Sequence, residues 1–376
     1  MIQRTLVFLI SILGVISASA QETATPADTA KFLAGLPVRG TPLEALSREH
    51  AWVTHATAFD QAWQALDARQ LSKIRAWAPE FLGAGYTAKD PMFYFFSGPD
   101  ILYAQAFFPN ASTYVLAGLE PVGAPPDILH LPPGALFSSL ANLRKSLNSV
   151  LSFSFFITKD MKVDLHQNQL NGTLPILYVF LARAGCRVES AELVWLDKTG
   201  AIGPTKTSTG GVKVVFFGPS GAQQTLYYFQ TDLSNDGIKS QPGFINFCDQ
   251  LGRGRSLLKA ASYLPHHGGF TTARDFLLSH CATIVQDDSG IPVKYFDSAK
   301  WAVRYFGSYP GPIALFKQNY QADLATIYNH SHAPALPFGF GYRWHPSQSS
   351  LILATPKSVA RIENIPTTTT APAIKP

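Results

Sequence analysis

The stretch Met92–Gly123, MFYFFSGPDILYAQAFFPNASTYVLAGLEPVG, restricts the fold of this 376-residue chain more than any other. Phe93-Tyr94-Phe95-Phe96 is an unbroken aromatic run of strand length, a pattern that suits a strand covered on both faces. Ser97-Gly98-Pro99-Asp100 then stops the strand and starts a helix. Gly98 relaxes the turn, Pro99 suits a first helical turn, and Ser97 or Asp100 can accept from the free amides. Ile101, Leu102, Ala106 and Phe107 are the apolar positions of that short helix, and Pro109-Asn110 ends it. Thr113–Ala117 makes a second buried strand, closed by Gly118 and the turn Glu120-Pro121-Val122-Gly123.

Similar alternation continues through most of residues 89–356. Leu136, Leu140, Leu143, Leu147 and Leu151 mark an amphipathic helix, and 174–184 is apolar enough for a buried one. Val188–Leu196 reads as a strand, and Lys213–Phe217 with Thr225–Gln230 reads as a hairpin around Gly218-Pro219-Ser220-Gly221. Pro242–Leu251, Arg255–Tyr263, a segment opening at Thr272, Asp297–Tyr305 and Gln321–Tyr328 read as helices. Ala282–Gln286 and Ser350–Ala354 read as strands, and Val293–Phe296 as an extension of the sheet. The fold class expected is α/β, a mixed sheet with covering helices.

An N-terminal helical pair precedes it, within residues 21–88. Thr41-Pro42-Leu43-Glu44 carries a capping-box signature with proline at the first helical position. Trp52, Ala56, Phe59, Trp63 and Leu66 then form one apolar stripe, and Leu71, Ile74 and Trp77 begin a second. Residues 21–40 read as a loose leader.

Both ends lie outside this body. Arg4, the apolar run Leu6–Ile16 and Ala18-Ser19-Ala20 before Gln21 make residues 1–20 a secretory signal peptide, so a secreted or periplasmic location is expected. No later segment is apolar for long enough to span a bilayer, so a soluble mature protein is expected. Residues 357–376, rich in Thr, Pro and Ala, hold too little apolar content to pack and read as disordered.

The formal net charge of +5 comes from scattered Lys and Arg with no dense run, which argues against a nucleic-acid partner. The three cysteines, Cys186, Cys248 and Cys281, fit no zinc spacing and sit beside apolar residues, so buried, inert thiols are expected.

Candidate chemistry follows from the strand ends, because ligands of α/β sheets gather outside the carboxyl ends of the strands. Asp100 follows the first strand of the central unit and Glu120 the second. If those strands are parallel neighbours, both carboxylates share one edge, where a pair could do acid/base work or hold a cation. The plainer readings are a first-turn acid favoured by the helix dipole and a turn residue. Asp287 and Asp288 also follow a buried strand, with a solvated turn as the competing reading. His266 and His267, before two glycines, are candidate general bases in a loop, or incidental histidines.

Ser220 and Ser97 lack the G-x-S-x-G elbow of a serine hydrolase. Asp232–Gly237 lacks the remaining ligands of a calcium loop. Gly339–Trp344 is either a stacking surface or a close-packed bend. No motif names a cofactor or a metal. Two classes remain: an extracytoplasmic hydrolase using carboxylates at strand ends, or a non-catalytic ligand-binding or envelope-associated protein, with a small molecule, glycan or peptide as ligand. Three or more of these polar groups meeting in one recess would favour the enzyme.

Overall fold

The computed structural model describes residues 23–153, 170–206 and 209–357. The residues read as a signal peptide and the tail beyond Lys357 lie outside the described residues. The chain opens with helices α1 (Pro26–Leu33), α2 (His50–Leu66), α3 (Ser72–Leu82) and α4 (Ala84–Thr87), with a π turn at Asp67–Leu71 joining α2 to α3. Then come β1 (Met92–Tyr94), α5 (Ile101–Phe107), β2 (Thr113–Gly118), α6 (Pro133–Phe153), α7 (Leu174–Arg183), β3 (Arg187–Leu196), β4 (Ile202–Gly203), β5 (Thr209–Phe217) and β6 (Gln223–Gln230). The remainder is α8 (Asn235–Ser240), α9 (Gly243–Gln250), β7 (Gly254–Leu258), α10 (Thr271–His280), β8 (Cys281–Gln286), β9 (Trp301–Gly307), α11 (Ala322–His330) and β10 (Ser350–Pro356).

Among the described residues, all ten strands form one mixed sheet in the order β4-β3-β5-β6-β2-β1-β7-β8-β10-β9. The five central strands, β6, β2, β1, β7 and β8, are parallel, and antiparallel pairs flank them on both sides. Side chains of β1 alternate between faces as strand geometry requires. Met92 and Tyr94 join an apolar cluster with α1, α2, α3, α5, α6 and α7, while Phe93 and Phe95 join a second cluster with α8, α9 and α10. Helices on both faces explain why β1 and β2 carry no polar alternation. The N-terminal helices belong to the first of these layers: Trp52 donates to Phe32 O at 3.1 Å, and Phe59, Leu66, Ile74 and Trp77 share its core. No helix among the described residues is long and apolar enough to cross a membrane.

Five local expectations are corrected. The leader is ordered as α1, because Thr25 and Asp28 build the capping box that the sequence also offers at Thr41 and Glu44. At the second place Glu44 instead accepts from Gly40 N, at 2.7 Å, and pairs with Arg48, so the chain turns and α2 begins only at His50. Arg255–Tyr263 is not a helix: Gly254–Leu258 is β7, at the centre of the sheet. Its Arg255 is buried, donating to Gly85 O and paired with Asp90 at 3.2 Å, and these polar residues break the apolar run that would announce a buried strand. Asp297–Tyr305 is likewise a turn followed by β9, whose seven residues all pair with β10. Val293–Tyr295 is a 3-10 turn that adds nothing to the sheet. The three cysteines are buried and free.

Candidate functional site

The parallel strands all end on one edge, so the residues after β1, β2, β6, β7 and β8 meet there. Chain leaving β1 and β2 enters helices of one layer, whereas chain leaving β6 and β7 enters α8 and α10 of the other. Loops that diverge between neighbouring strands open a crevice, the usual ligand position in open α/β sheets. Here the divergence occurs twice, between β1 and β7 and between β2 and β6. A recess of about 350 Å³ lies over these four strands, with Phe96, Leu119, Leu264 and Phe270 among its apolar walls and Asp100, Glu120, Asp232 and Lys259 as its ionisable groups.

Asp100 caps α5 as its place before an apolar helical stretch implies: Oδ1 accepts from Tyr103 N at 3.3 Å. Its Oδ2 accepts from the Tyr94 hydroxyl at 2.9 Å and lies 3.0 Å from Lys259 Nζ. The ammonium also rests 3.8 Å from the centre of the Tyr103 ring. Burial pushes the Asp100 carboxyl above its ordinary range, and Lys259 and Tyr94 pull it part of the way back. Burial likewise pushes the Tyr94 hydroxyl well up, so it remains a donor.

Glu120 is 2% exposed. The Tyr228 hydroxyl donates to its backbone carbonyl at 2.8 Å and lies 3.2 Å from Oε2. No ion pair reaches it among the described residues, in contrast to Asp100. One glycine, Gly118, makes room for this carboxylate. A Cβ on Gly118 would overlap Glu120 Oε2, and one on Gly98, where φ is +56°, would come within 3.4 Å of the same atom.

The rim of the recess is unusual in its backbone. Phe96, Ala260, Ser262 and Tyr263 all have positive φ, at 60°, 53°, 52° and 56°, and Phe96 in particular is a bulky residue in a region that side chains of its kind rarely enter. Neighbouring groups hold these turns in place. Ser97 N and Gly98 N both donate to Ala117 O, at 3.1 and 3.2 Å. Ala260 N donates to Asp287 Oδ2 at 3.1 Å, Ala261 N to Ser289 Oγ at 2.7 Å, and the Tyr342 hydroxyl accepts from Ser262 N and donates to Ala260 O. Backbone strain of this kind persists where surrounding structure over-determines it, and it concentrates at functional sites.

Of the six residues singled out from sequence, Asp100 and Glu120 meet in the recess. Asp287 and Asp288 do not line it. Asp287 sits behind the β7 loop, taking hydrogen bonds from Ala260 N and from Ser289 N at 3.1 Å, with burial pushing its carboxyl up to about 7. Asp288 accepts from the buried Tyr263 hydroxyl at 2.5 Å, and burial raises it too. They are props of the recess wall rather than a solvated turn. His266 lines a separate recess of about 300 Å³ with Lys294, Asn319 and Tyr320, and burial pulls its ring down to about 4. His267 is exposed beside it. Gly339–Trp344 is a close-packed bend, with Phe340 buried and Tyr342 stacked 6.2 Å from Tyr263. Ser220 stands in the β5–β6 turn, where Gly218 N donates to Ala222 O. Lys259 went unnoticed because β7 was read as a helix; as the residue after a five-residue strand it would have joined Asp100 and Glu120 on the same edge.

Among the described residues no group of three or more His, Cys, Asp or Glu side chains is placed to hold a metal ion. No protein-family model matches this sequence, and comparison with curated proteins and with solved structures finds no match in either.

Proposed function

We propose that this is an exported, soluble protein that binds a small, largely apolar molecule in the recess at the carboxyl ends of β1, β2, β6 and β7, without carrying out chemistry on it. One observation carries this reading. The walls are mainly apolar, and of the polar groups beneath them Asp100 is engaged with Lys259 and Tyr94, while the Glu120 carboxylate meets the Tyr228 hydroxyl and no cation among the described residues. Only two of the six candidate polar groups line the recess, short of the convergence that acid/base chemistry would need. Its volume suits a small organic molecule, and sites of this kind combine an apolar lining with a few placed polar groups.

A hydrolase keeps one specific point in its favour, the raised Asp100 carboxyl in the same recess as Glu120. Two carboxyls in unlike surroundings can divide the roles of acid and base.

Thermal denaturation of the full chain against a panel of small aromatic and aliphatic amphiphiles tests the binding reading, because a ligand bound only by the native state raises Tm by mass action. Phe270→Ala, which removes one wall, should abolish the shift while leaving the fold intact. A shift that survives this substitution would place the ligand elsewhere. Turnover of any ester, amide or glycoside that is lost in Asp100→Asn would favour the hydrolase instead.

A further inference from the structure

Resting on that binding reading, we infer that the recess takes an organic cation: a protonated amine with an apolar or aromatic body, its ammonium held by Glu120. The ionisable groups of the lining are three carboxylates against one ammonium. That ammonium is already spent, since Lys259 lies between Asp100 Oδ2 and the face of Tyr103. What remains is Glu120, buried with a single hydroxyl donor to its carboxylate and no cationic partner among the described residues, and Asp232, exposed at the rim. A buried carboxylate is costly unless a cation or several donors compensate it. Gly118 leaves the space this carboxylate occupies, since a Cβ there would overlap Oε2, which marks the position as built rather than incidental. A ligand ammonium supplies the missing charge.

The walls agree with the same ligand. Phe96 and Phe270 meet edge to face, 5.8 Å apart, and Leu119 is 49% exposed beside Glu120. Aromatic faces attract cations as well as apolar bodies, so an arylalkylamine satisfies walls and floor together. An anion would face Glu120 and Asp232 without compensation.

The test is calorimetric titration of the full chain with three probes of like shape and different charge: phenethylammonium, 2-phenylethanol and 3-phenylpropionate. Phenethylammonium should bind most tightly, and Glu120→Gln should weaken it by about tenfold or more, the loss expected when a hydrogen bond to a charged group is removed. Gln can still accept from Tyr228, and an unchanged near-ultraviolet circular dichroism spectrum shows that the variant is folded. Asp232→Asn, a rim substitution with no buried role, gives an independent reading: it should weaken the cation about two- to fivefold and leave 2-phenylethanol unaffected. Equal or tighter binding of 2-phenylethanol or 3-phenylpropionate, or unchanged binding of phenethylammonium in folded Glu120→Gln, would overturn the charge assignment while leaving the recess as a binding site. Binding of none of the three probes would overturn both.

Discussion

Lys259 Nζ lies 3.0 Å from Asp100 Oδ2, and the two side chains are 1% and 3% exposed. The pair joins the end of β7 to the start of α5 across the divergence between β1 and β7, on the floor of the recess. A buried pair of this kind contributes little over an apolar replacement, yet breaking it is expensive because it leaves one charge alone.

Lys259→Met should therefore cost about 3–5 kcal/mol in urea denaturation, since Asp100 would keep only Tyr94 and Tyr103 N as donors. Asp100→Asn in the same chain should recover most of that loss. The deficit of the single variant should also shrink in acid, where the Asp100 carboxyl, already raised by burial, takes up a proton. A single variant as stable as wild type would mean that the pair is solvated.

The pH dependence of Asp287→Asn carries a definite sign. Burial and the adjacent Asp288 push Asp287 up to about 7 in the folded chain, against an unfolded carboxyl near about 4. Between these values the native state holds a proton that the unfolded state has released, so this group makes the protein less stable as pH rises. Asparagine never ionises. The stability of the variant relative to wild type should improve from pH 4 to 7, by at most about 1.4 kcal/mol per unit, and level off above. His55 and His266, both pulled down to about 4 by burial, act with the opposite sign, losing stability as pH falls through about 6.5. They are present in both proteins and drop out of the difference. A difference that is flat in pH would show Asp287 ionised at the ordinary value.

Gly118→Ala tests whether this glycine exists to seat Glu120. The added methyl group collides with Glu120 Oε2 and comes within 2.9 Å of Gly98 Cα, so the carboxylate must leave its place against Tyr228. A loss of about 1–3 kcal/mol is expected, as for other overpacking changes, together with loss of phenethylammonium binding. Gly134→Ala, where an added Cβ meets nothing within 4 Å, is the control. Equal effects at the two positions would show that the seat is not crowded.

How far this could be read in advance depended on how local the determining physics was. The β1–α5–β2 unit was legible because aromatic runs, the Ser97–Asp100 turn and the Asp100 cap are all decided within a few residues. Even there the strand ends at Tyr94, two residues before the aromatic run does, because Phe96 turns into the left-handed region. That conformation is imposed by tertiary hydrogen bonds to Ala117 O, and no local pattern announces it. Asp100 and Glu120 share one edge because their strands are parallel neighbours, the condition on which the sequence reading paired them. β7 was hidden by Arg255 and Ser256, polar residues in a central strand; Arg255 is accommodated there by Gly85 O and Asp90, partners far away in the sequence. With β7 went Lys259, the cation of the site. Asp287 and Asp288 lay on the right edge but face the β7 loop rather than the recess, which only side-chain geometry decides.

The strained β7 loop yields a prediction in which neighbouring, chemically identical substitutions differ in sign. Ala260 has φ +53°, while buried Ala261 next to it does not enter the left-handed region. A left-handed conformation costs a residue with a Cβ about 1–2 kcal/mol, and glycine escapes that cost. Glycine also gives the unfolded chain more freedom, which takes back about 0.5–1 kcal/mol. Ala260→Gly should therefore leave stability unchanged or raise it by up to about 1 kcal/mol, whereas Ala261→Gly should lower it by about 1 kcal/mol or more through lost burial and added chain entropy. Chemical denaturation of both variants reads the contrast directly. The stabilised Ala260→Gly chain should nonetheless bind phenethylammonium more weakly, because the loop's hydrogen bonds with Asp287, Ser289 and Tyr342 then hold a looser backbone over the recess. If both glycine variants lose stability equally, the backbone at Ala260 is not strained, and the loop is shaped by packing alone.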